Sequence, residues 1–227
     1  MKTLIIIPAY NEQECIEQTI KKLKKYVPEI DYVIINDCSK DNTLEICMQN
    51  KFNVVDLPIN LGIGGAVQTG YRYAEQNNYD IAIQMDADGQ HNPEYIKYLI
   101  EEIQNGNDLV IASRFLRKEG FQSTFLRRIG INLYSKIIEL FTNVKITDTT
   151  SGYRAVNRKV IKIFAKKYPI DYPEPETNAM LAKKNFKIKE IPVKMEERSG
   201  GISSITPSNS IYYAIKVGLA VLMACLS

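Results

Sequence analysis

The sequence predicts an α/β fold with a mostly parallel central sheet, helices on both of its faces, and a helical appendage at the C-terminal end. Three observations predict it. Short apolar runs alternate with amphipathic segments along the first half of the chain, which is the pattern of βαβ units. These runs are continuous, as in strands that are buried on both faces. A length of 227 residues suits one large domain or one domain with an appendage, and we expect a division into residues 1–205 and 206–227.

The strands and helices of the first half follow from local patterns. The strands are short apolar runs, and the helices have apolar residues three and four positions apart. Asp41, Asn42 and Thr43 are capping residues near the start of one helix, and Pro93 opens another. The predicted strands are residues 3–7, 31–36, 53–57, 79–85 and 108–113. The predicted helices are residues 12–26, 40–50, 64–77 and 93–104.

The second half of the chain is less regular. A loop is predicted to enter a short strand within residues 148–158, and the alternation of residues 186–196 predicts another strand. The predicted helices are residues 125–141, 158–167, 175–184 and 211–226.

Two of these helices bear on where the protein acts. Residues 125–141 place apolar side chains on one face beside Arg127, Arg128 and Lys136, which is typical either of a helix in a lipid interface or of a core-facing helix. Residues 211–226 are almost wholly apolar. As a helix of about 24 Å, at 1.5 Å per residue, they are too short to span a bilayer, and Lys216 interrupts them. We expect a docking helix, with a buried helix and an oligomer contact as alternatives.

The composition excludes several classes of protein. A net charge of +3 is too small to indicate nucleic-acid binding by itself. The cysteines form no CxxC pair and suggest no disulfide framework, so a reducing cytoplasm is the expected location. The N-terminal apolar run is too short for a signal peptide and turns polar at once. The cysteines are Cys15, Cys38, Cys47 and Cys225.

Two carboxylates stand close together where the fourth predicted strand ends. Asp86 and Asp88 are two residues apart, so their charges repel each other unless a cation or water neutralises them. Carboxylate oxygens suit Mg²⁺ or Mn²⁺, and Mg²⁺ usually takes one or two carboxylates besides substrate phosphates. A solvated turn is the alternative. The spacing excludes an EF-hand loop, because His91 and Lys97 occupy its Gly and Glu positions, and a DxDx(T/V) phosphatase loop, because Gln90 replaces Thr or Val.

Five motifs follow one another along the chain: "IIIPAYNEQECI", "NDCSKDNT", "NLGIGGAVQTGYRYA", "DADGQHNPE" and "DTTSGYRA". In this order and spacing the sequence resembles family 2 glycosyltransferases of the GT-A fold, from residue 3 to about residue 204. "SGYRA" followed by "RSGGISS" is similar to the polyprenyl-phosphate glycosyltransferases, the branch that includes dolichol-phosphate mannose synthase. The resemblance implies an enzyme that moves a sugar from a nucleotide-sugar to a lipid phosphate.

The resemblance also implies which residues bind the donor. A tyrosine ring offers a face on which a base can stack, and a carboxylate can accept from a ribose hydroxyl or a base N–H. The implied ligands of Mg²⁺ or Mn²⁺ are Asp88 and Gln90. The implied nucleotide-sugar residues are Pro8, Ala9, Tyr10, Glu12, Ile35, Asp37, Asp86, Ala87, Asp88, Arg114 and Arg198.

Three of these roles have a plainer alternative. Glu12 would be an acid of the first helical turn, Asp37 a turn residue and Arg114 a surface charge at a strand end. The glycines of "LGIGG" either let the backbone approach the nucleotide or the next strand, or form a flexible turn. They are Gly62, Gly64 and Gly65.

The acceptor side is expected in "TSGYR" and "RSGGISS". Ser151 and Arg154 would form a phosphate cradle, Ser203 would add a hydroxyl, and Arg198 would clamp the diphosphate. Relatives commonly have Lys where Ser204 stands, so one cation of the clamp is missing. The implied catalytic residues are Asp86, Asp88, Arg154 and Arg198.

A phosphate acceptor removes the need for a strong general base, because a phosphate monoester with a second pKa near 6 is largely dianionic at pH 7. For a hydroxyl acceptor the candidate bases are Glu174, Glu176 and Asp148, although "YPEPE" could be no more than a rigid proline turn. We interpret His91, the single histidine, as a loop residue and not as a catalytic one.

The expected function is inverting, metal-dependent transfer of a sugar, from a UDP-sugar donor, to a polyprenyl phosphate such as undecaprenyl phosphate. We expect it at the inner face of the cytoplasmic membrane, with the membrane surface or a small membrane protein as partner, and a homo-oligomer as a further possibility. No nucleic-acid partner is expected. The alternatives are transfer to a saccharide hydroxyl in cell-surface polysaccharide assembly, and a silent nucleotide-sugar-binding scaffold.

Overall fold

The computed structural model describes residues 1–117, 125–171, 173–196 and 210–226. A seven-stranded sheet forms its centre, and the α/β prediction with a mostly parallel sheet is confirmed. The strands lie in the order β3-β2-β1-β4-β6-β5-β7, and β6 alone runs antiparallel, to β4 and to β5. They are β1 (Thr3–Ala9), β2 (Asp31–Asn36), β3 (Val54–Asp56), β4 (Ile81–Gln84), β5 (Leu109–Ser113), β6 (Arg154–Asn157) and β7 (Ile188–Pro192).

Helices cover both faces of this sheet, as predicted. Residues Pro93–Tyr95 form a 3₁₀ turn before the fourth helix, and Asn92 caps this turn through its side chain. The α-helices are α1 (Ile16–Tyr26), α2 (Thr43–Gln49), α3 (Gly62–Gln76), α4 (Ile96–Gln104), α5 (Phe125–Thr142), α6 (Arg158–Lys166), α7 (Pro173–Lys183) and α8 (Ser210–Leu226).

The alternation of side chains along β1 builds two separate apolar cores. All seven residues of β1 are buried, because the strand lies between β2 and β4 and is covered on both faces. Leu4 and Ile6 belong to the core under α3, whereas Ile5 and Ile7 belong to the core under α1. The α3 side is packed very closely: a Cβ on Gly70 would lie 2.2 Å from a methyl carbon of Ile6.

The antiparallel strand β6 positions the later half of the chain. Gln84 of β4 and Ile111 of β5 both pair with Arg154, so the start of β6 lies beside the carboxyl ends of these two strands. The loop that enters β6 therefore meets the loops that leave β4 and β5 at one edge of the sheet. Ligands of α/β sheets bind at this edge.

Several predicted boundaries were wrong by a few residues. The helix expected from residue 12 begins at Ile16, and residues 13–15 before it form a turn in which the carbonyl of Glu12 accepts the N–H groups of Cys15 and Ile16. The strand expected over residues 186–196 is only five residues long, because β7 is an edge strand that pairs with five residues of β5.

Helix α8 packs against α5 and α7 and joins the core beneath α3. Val217, Val221 and Cys225 form its buried stripe. The opposite side of α8 exposes Leu219, Met223 and Leu226, so the helix is both docked on the core and apolar on its outer side. Among the helices of the described ranges, none has both the length and the apolarity that crossing a bilayer requires. The division at residue 205 stays a prediction.

Candidate active site

The loop after β4 carries the two aspartates and is held from behind by His91. The backbone N–H of Asp86 donates to Nδ1 of His91 at 2.9 Å. The imidazole stacks on the ring of Tyr153, with centroids 4.7 Å apart and planes 12° from parallel, and the hydroxyl of Tyr153 donates to the carbonyl of Asn92 at 2.9 Å. These contacts fix the path of the loop that carries Asp86.

His91 is neutral at physiological pH. Burial lowers its pKa to about 4, because the desolvated ring cannot easily carry a charge. With Nδ1 acting as an acceptor, the proton lies on Nε2, which is 3.6 Å from a carboxylate oxygen of Asp86. His91 is a loop residue, as we interpreted it, but no pattern in the sequence indicates that it is buried and positions Asp86.

The two aspartates have different environments. The side chain of Asp86 is 38% exposed, whereas Asp88 is buried and its Oδ1 accepts the N–H of Gln90 at 3.0 Å. Gly89 between them has φ +82°, a left-handed conformation that glycine adopts without strain. The carbonyl of Ala87 accepts the hydroxyl of Thr19 at 2.8 Å, which ties the loop to α1.

The donor set suits a divalent cation that is completed by a substrate. In the described part of the chain, no three His, Cys, Asp or Glu side chains cluster into a metal cage. Two carboxylates and the amide oxygen of Gln90 at one strand end are hard oxygen ligands, and Mg²⁺ or Mn²⁺ bound there would take its other ligands from phosphates and water. The roles of Asp88 and Gln90 as ligands stay predictions.

A buried ion pair forms the opposite wall of the site. Arg114 follows β5, and its Nε and Nη2 donate to the two carboxylate oxygens of Asp148 at 2.8 and 2.6 Å. Nη2 also donates to Oγ1 of Thr150 at 2.9 Å. Asp148 is fully buried and bidentate with the guanidinium, so it is not placed to act as a general base.

A polar cleft of about 100 Å³ lies between the two walls. It brings together residues that are up to 109 positions apart in the chain. The cleft is lined by Asp86, Gln90, His91, Arg114, Thr150, Ser151, Gly152 and Met195.

The residues predicted to bind the nucleotide lie at the carboxyl ends of β1 and β2. Pro8, Ala9 and Ile35 are buried strand residues, and Tyr10 is 42% exposed beyond β1. Glu12 donates its backbone N–H to Oγ1 of Thr43 at 2.8 Å. Their contacts with a nucleotide stay predictions.

Asp37 serves the start of α3. Its Oδ1 accepts the N–H of Leu61 at 2.7 Å, and the residue is only 3% exposed. Burial raises the pKa of this carboxyl group, while the N–H groups of Leu61 and Gly62 lower it. If Asp37 reads a base edge as predicted, its carboxylate must do so while it also accepts the N–H of Leu61 at the start of α3.

The glycine cluster in the first turn of α3 has a packing role that neither prediction described. A Cβ on Gly64 would lie 2.1 Å from the carbonyl oxygen of Pro169, and its N–H donates to the carbonyl of Ile170 at 3.1 Å. Gly62 has φ +74°, whereas a Cβ on Gly65 would meet the Leu61 side chain at 2.4 Å. Gly64 thus lets the α6–α7 connection approach the helix.

The polar groups of the predicted phosphate cradle, those of Ser151 and Arg154, make their hydrogen bonds inside the protein. Ser151 donates its hydroxyl to the carbonyl of Ala112 at 2.7 Å. Arg154 is fully buried and donates to the carbonyl of Ser151 at 3.0 Å and to Oγ1 of Thr177 at 2.9 Å. In this structure Arg154 therefore organises the loop from below and does not face the cleft, so its predicted contact with the acceptor would require a rearrangement.

The remaining predicted residues divide into two groups. Glu174, in the first turn of α7, accepts Nε2 of Gln84 at 3.4 Å, and burial raises the pKa of Glu176 nearby. Arg198, Ser203 and Ser204 lie outside the described residues.

Comparison with known proteins settles the family. The family model described as glycosyl transferase family 2 matches residues 4–164, which is more than half of the chain. The chain belongs to glycosyltransferase family 2. The prediction of an enzyme of this family is therefore confirmed.

The curated relatives of this glycosyltransferase include enzymes of the lipid-phosphate branch, as the sequence motifs predicted. It is 29% identical over 226 residues to polyprenol monophosphomannose synthase of Mycolicibacterium smegmatis, covering 92% of this chain and 82% of the relative. It is 31% identical over 221 residues to undecaprenyl-phosphate mannosyltransferase of Micrococcus luteus, covering 91% and 88%.

A solved structure shares the fold of this glycosyltransferase. Glucosyl-3-phosphoglycerate synthase from Mycobacterium tuberculosis, crystallised with Mn²⁺ and UDP-glucose, superposes with a TM-score of 0.70 at 18% identity, covering 99% of this chain and 79% of that chain. The GT-A fold that the motifs predicted is therefore confirmed.

Proposed function

We propose that this glycosyltransferase moves a sugar from a UDP-sugar to a polyprenyl phosphate such as undecaprenyl phosphate, with inversion and with Mg²⁺ or Mn²⁺. The observation that carries the proposal is the opposition of Asp86 and Arg114 across one cleft at the carboxyl ends of the strands. An acidic wall suits a cation, and a guanidinium wall suits the diphosphate of the donor. The names of the two curated relatives favour a polyprenyl-phosphate acceptor.

Different residues of the cleft would bind the metal and the diphosphate. Asp88 and Gln90, with Asp86, would hold the metal, which when bound stabilises charge on the leaving diphosphate as a Lewis acid. Arg114 would hold the diphosphate by charge-assisted hydrogen bonds. An oxygen of the acceptor phosphate forms the new bond to the anomeric carbon while the bond from that carbon to the diphosphate oxygen breaks, and the nucleoside diphosphate leaves with the electron pair. The acceptor is already ionised, so the engagement of Asp148 with Arg114 removes no required base.

We also propose that the enzyme works on the inner face of the cytoplasmic membrane. Exposed apolar side chains line both α5 and α8: Ile129, Leu133, Leu140, Phe141, Leu219, Met223 and Leu226. These two helices contain four cationic and one anionic residue, a net charge of +3 (4 − 1), and one of the cations, Lys216, is paired with Asp171 at 2.6 Å. A surface that is both apolar and basic favours anionic lipid.

A lipid-extraction assay tests the acceptor and the donor together. Purified protein is incubated with undecaprenyl phosphate, Mn²⁺ and radiolabelled UDP-glucose, UDP-N-acetylglucosamine or GDP-mannose. We expect label from a UDP-sugar in the organic phase, dependent on both metal and lipid. Transfer only from GDP-mannose, or no lipid-linked product with any donor, would each contradict part of the proposal. Sedimentation with vesicles of phosphatidylglycerol, against phosphatidylcholine, tests the membrane surface.

A further inference from the structure

A carboxylate behind the cleft grips the loop that carries Asp148. Glu190 of β7 accepts the backbone N–H of Thr147 and that of Asp148, each at 2.8 Å, and also the Thr147 hydroxyl at 2.9 Å. Two successive main-chain N–H groups held by one carboxylate leave that stretch of backbone little freedom. Because β7 pairs with β5 and Glu190 lies opposite Ile111, the carboxylate is fixed to the strand that ends at the cleft.

The loop that Glu190 binds, which contains Thr147 and Asp148, in turn forms hydrogen bonds with Arg114. The carboxylate of Asp148 accepts the backbone N–H of Arg114 at 3.0 Å, in addition to the two bonds from its guanidinium. The hydroxyls of Ser113 and Thr147 lie 3.0 Å apart, which ties the loop to the end of β5 a second time. A continuous series of contacts therefore runs from Glu190 through Thr147 and Asp148 to the guanidinium on the cleft wall.

Glu190 stands outside the cleft that the described residues form, so it would act through Arg114. Arg114 has a side chain that is only 10% exposed, and such a group keeps one orientation when its partners are fixed. A guanidinium that is already aimed loses little conformational entropy when it binds a diphosphate. If the loop shifted, Asp148 would leave its bidentate geometry and the guanidinium would lose that orientation.

We propose that Glu190 is a positioning residue that holds Arg114 on the cleft wall for the diphosphate of the donor. This rests on the proposed function, because it takes a nucleoside diphosphate as the ligand of Arg114. Glutamine at position 190 keeps one acceptor oxygen but turns an NH₂ group toward a main-chain N–H, so the grip on the loop is lost. Aspartate keeps the charge but withdraws it by one methylene group.

The test compares a nucleoside diphosphate with its nucleoside, which isolates the diphosphate contact from base recognition. Affinities for UDP and uridine, and for GDP and guanosine, are measured by calorimetry with Mn²⁺ in wild type, Glu190→Gln, Glu190→Asp and Arg114→Lys. We expect the diphosphate-to-nucleoside affinity ratio to fall about tenfold in Glu190→Gln, as for loss of a hydrogen bond to a charged group, and by less in Glu190→Asp. Nucleoside affinity should not change. The double variant Glu190→Gln with Arg114→Lys should lose no more than Arg114→Lys alone.

The matched control is Glu101→Gln, which removes an exposed carboxylate from α4 and should leave the ratio unchanged. An unchanged ratio in Glu190→Gln, or additive losses in the double variant, would overturn the proposal while leaving the proposed function standing. If Glu190→Gln does not fold, Glu190→Asp decides in the same way, since an unchanged ratio there overturns it. If wild type binds neither diphosphate better than its nucleoside, the proposed function fails first.

Discussion

Replacing His91 by phenylalanine or by asparagine separates the two things that this side chain does. Phenylalanine keeps a ring on Tyr153 but removes the acceptor for the Asp86 N–H, which is 2.9 Å from Nδ1. A main-chain donor left without an acceptor in a buried setting costs about 1–3 kcal/mol. At about 1.4 kcal/mol per factor of ten, this is roughly 5- to 150-fold in an equilibrium constant, divided between folding and the placement of Asp86.

Asparagine is the matched variant, because its side-chain oxygen can occupy the position of Nδ1 while the ring is lost. It forfeits an aromatic pair of about 0.5–1.5 kcal/mol but keeps the hydrogen bond to Asp86. We therefore expect both variants to melt at lower temperature, at roughly 2–4 °C per kcal/mol. Mn²⁺-dependent affinity for UDP, measured by calorimetry, should fall more in His91→Phe than in His91→Asn. Equal losses, or full affinity in His91→Phe, would refute the assignment of His91 as the residue that holds Asp86.

Three further predictions use other parts of the site. Gly64→Ala should destabilise the fold by about 1–3 kcal/mol, because its Cβ would overlap main-chain carbonyls. The control Gly130→Ala should be neutral or stabilising, because the nearest atom to its Cβ would be 3.7 Å away. Thermal melting curves of the two variants test this. At pH 8 a thiol reagent should react first with Cys38, which is half-exposed, because burial raises the pKa of Cys47 to about 11. Bound UDP should slow the labelling of Cys38. A labelling rate that does not change with UDP would place the nucleotide elsewhere. Asp37→Asn should keep or slightly raise the stability of the fold at pH 7. Burial raises the pKa of Asp37, so its negative charge costs stability at any pH above the ordinary carboxyl pKa. Weaker UDP binding by an intact Asp37→Asn fold would indicate that Asp37 contacts the base.

The periodic elements were predictable because their signals are local. The runs of β1 and β2 and the spacing of α1 lie within a few consecutive residues, and the structure places those elements within a few residues of the predicted bounds. The direction of β6 was not predictable in the same way. Four residues, "RAVN", carry no local sign that distinguishes an antiparallel from a parallel strand, and the direction follows from pairing with β4 and β5 far along the chain.

In the candidate site too, some residues could be predicted from local sequence, whereas contacts between distant parts of the chain could not. Asp86 and Asp88 are visible in the sequence because two carboxylates follow a strand, and Arg114 because it follows another. Glu190 is 42 residues from the Asp148 N–H that it accepts, so no spacing rule could join them. The hydrogen bond from Arg154 to Thr177 could not be predicted either, because it joins β6 to α7, 23 residues further along the chain.

The charges around the cleft lead to a last prediction, on metal removal. The described groups that line or support it are two cations, Arg114 and Arg154, and five carboxylates, with His91 neutral, so the sum is −3 (2 − 5). The carboxylates are those of Asp86, Asp88, Asp148, Glu174 and Glu190. A diphosphate is itself anionic, so it meets a wall whose single guanidinium is already neutralised by Asp148. A divalent cation at the acidic wall removes most of this repulsion. We expect EDTA to weaken UDP binding by about tenfold or more and to leave uridine binding nearly unchanged. Full UDP affinity in EDTA would mean that cationic side chains beyond the described residues neutralise the diphosphate without a metal.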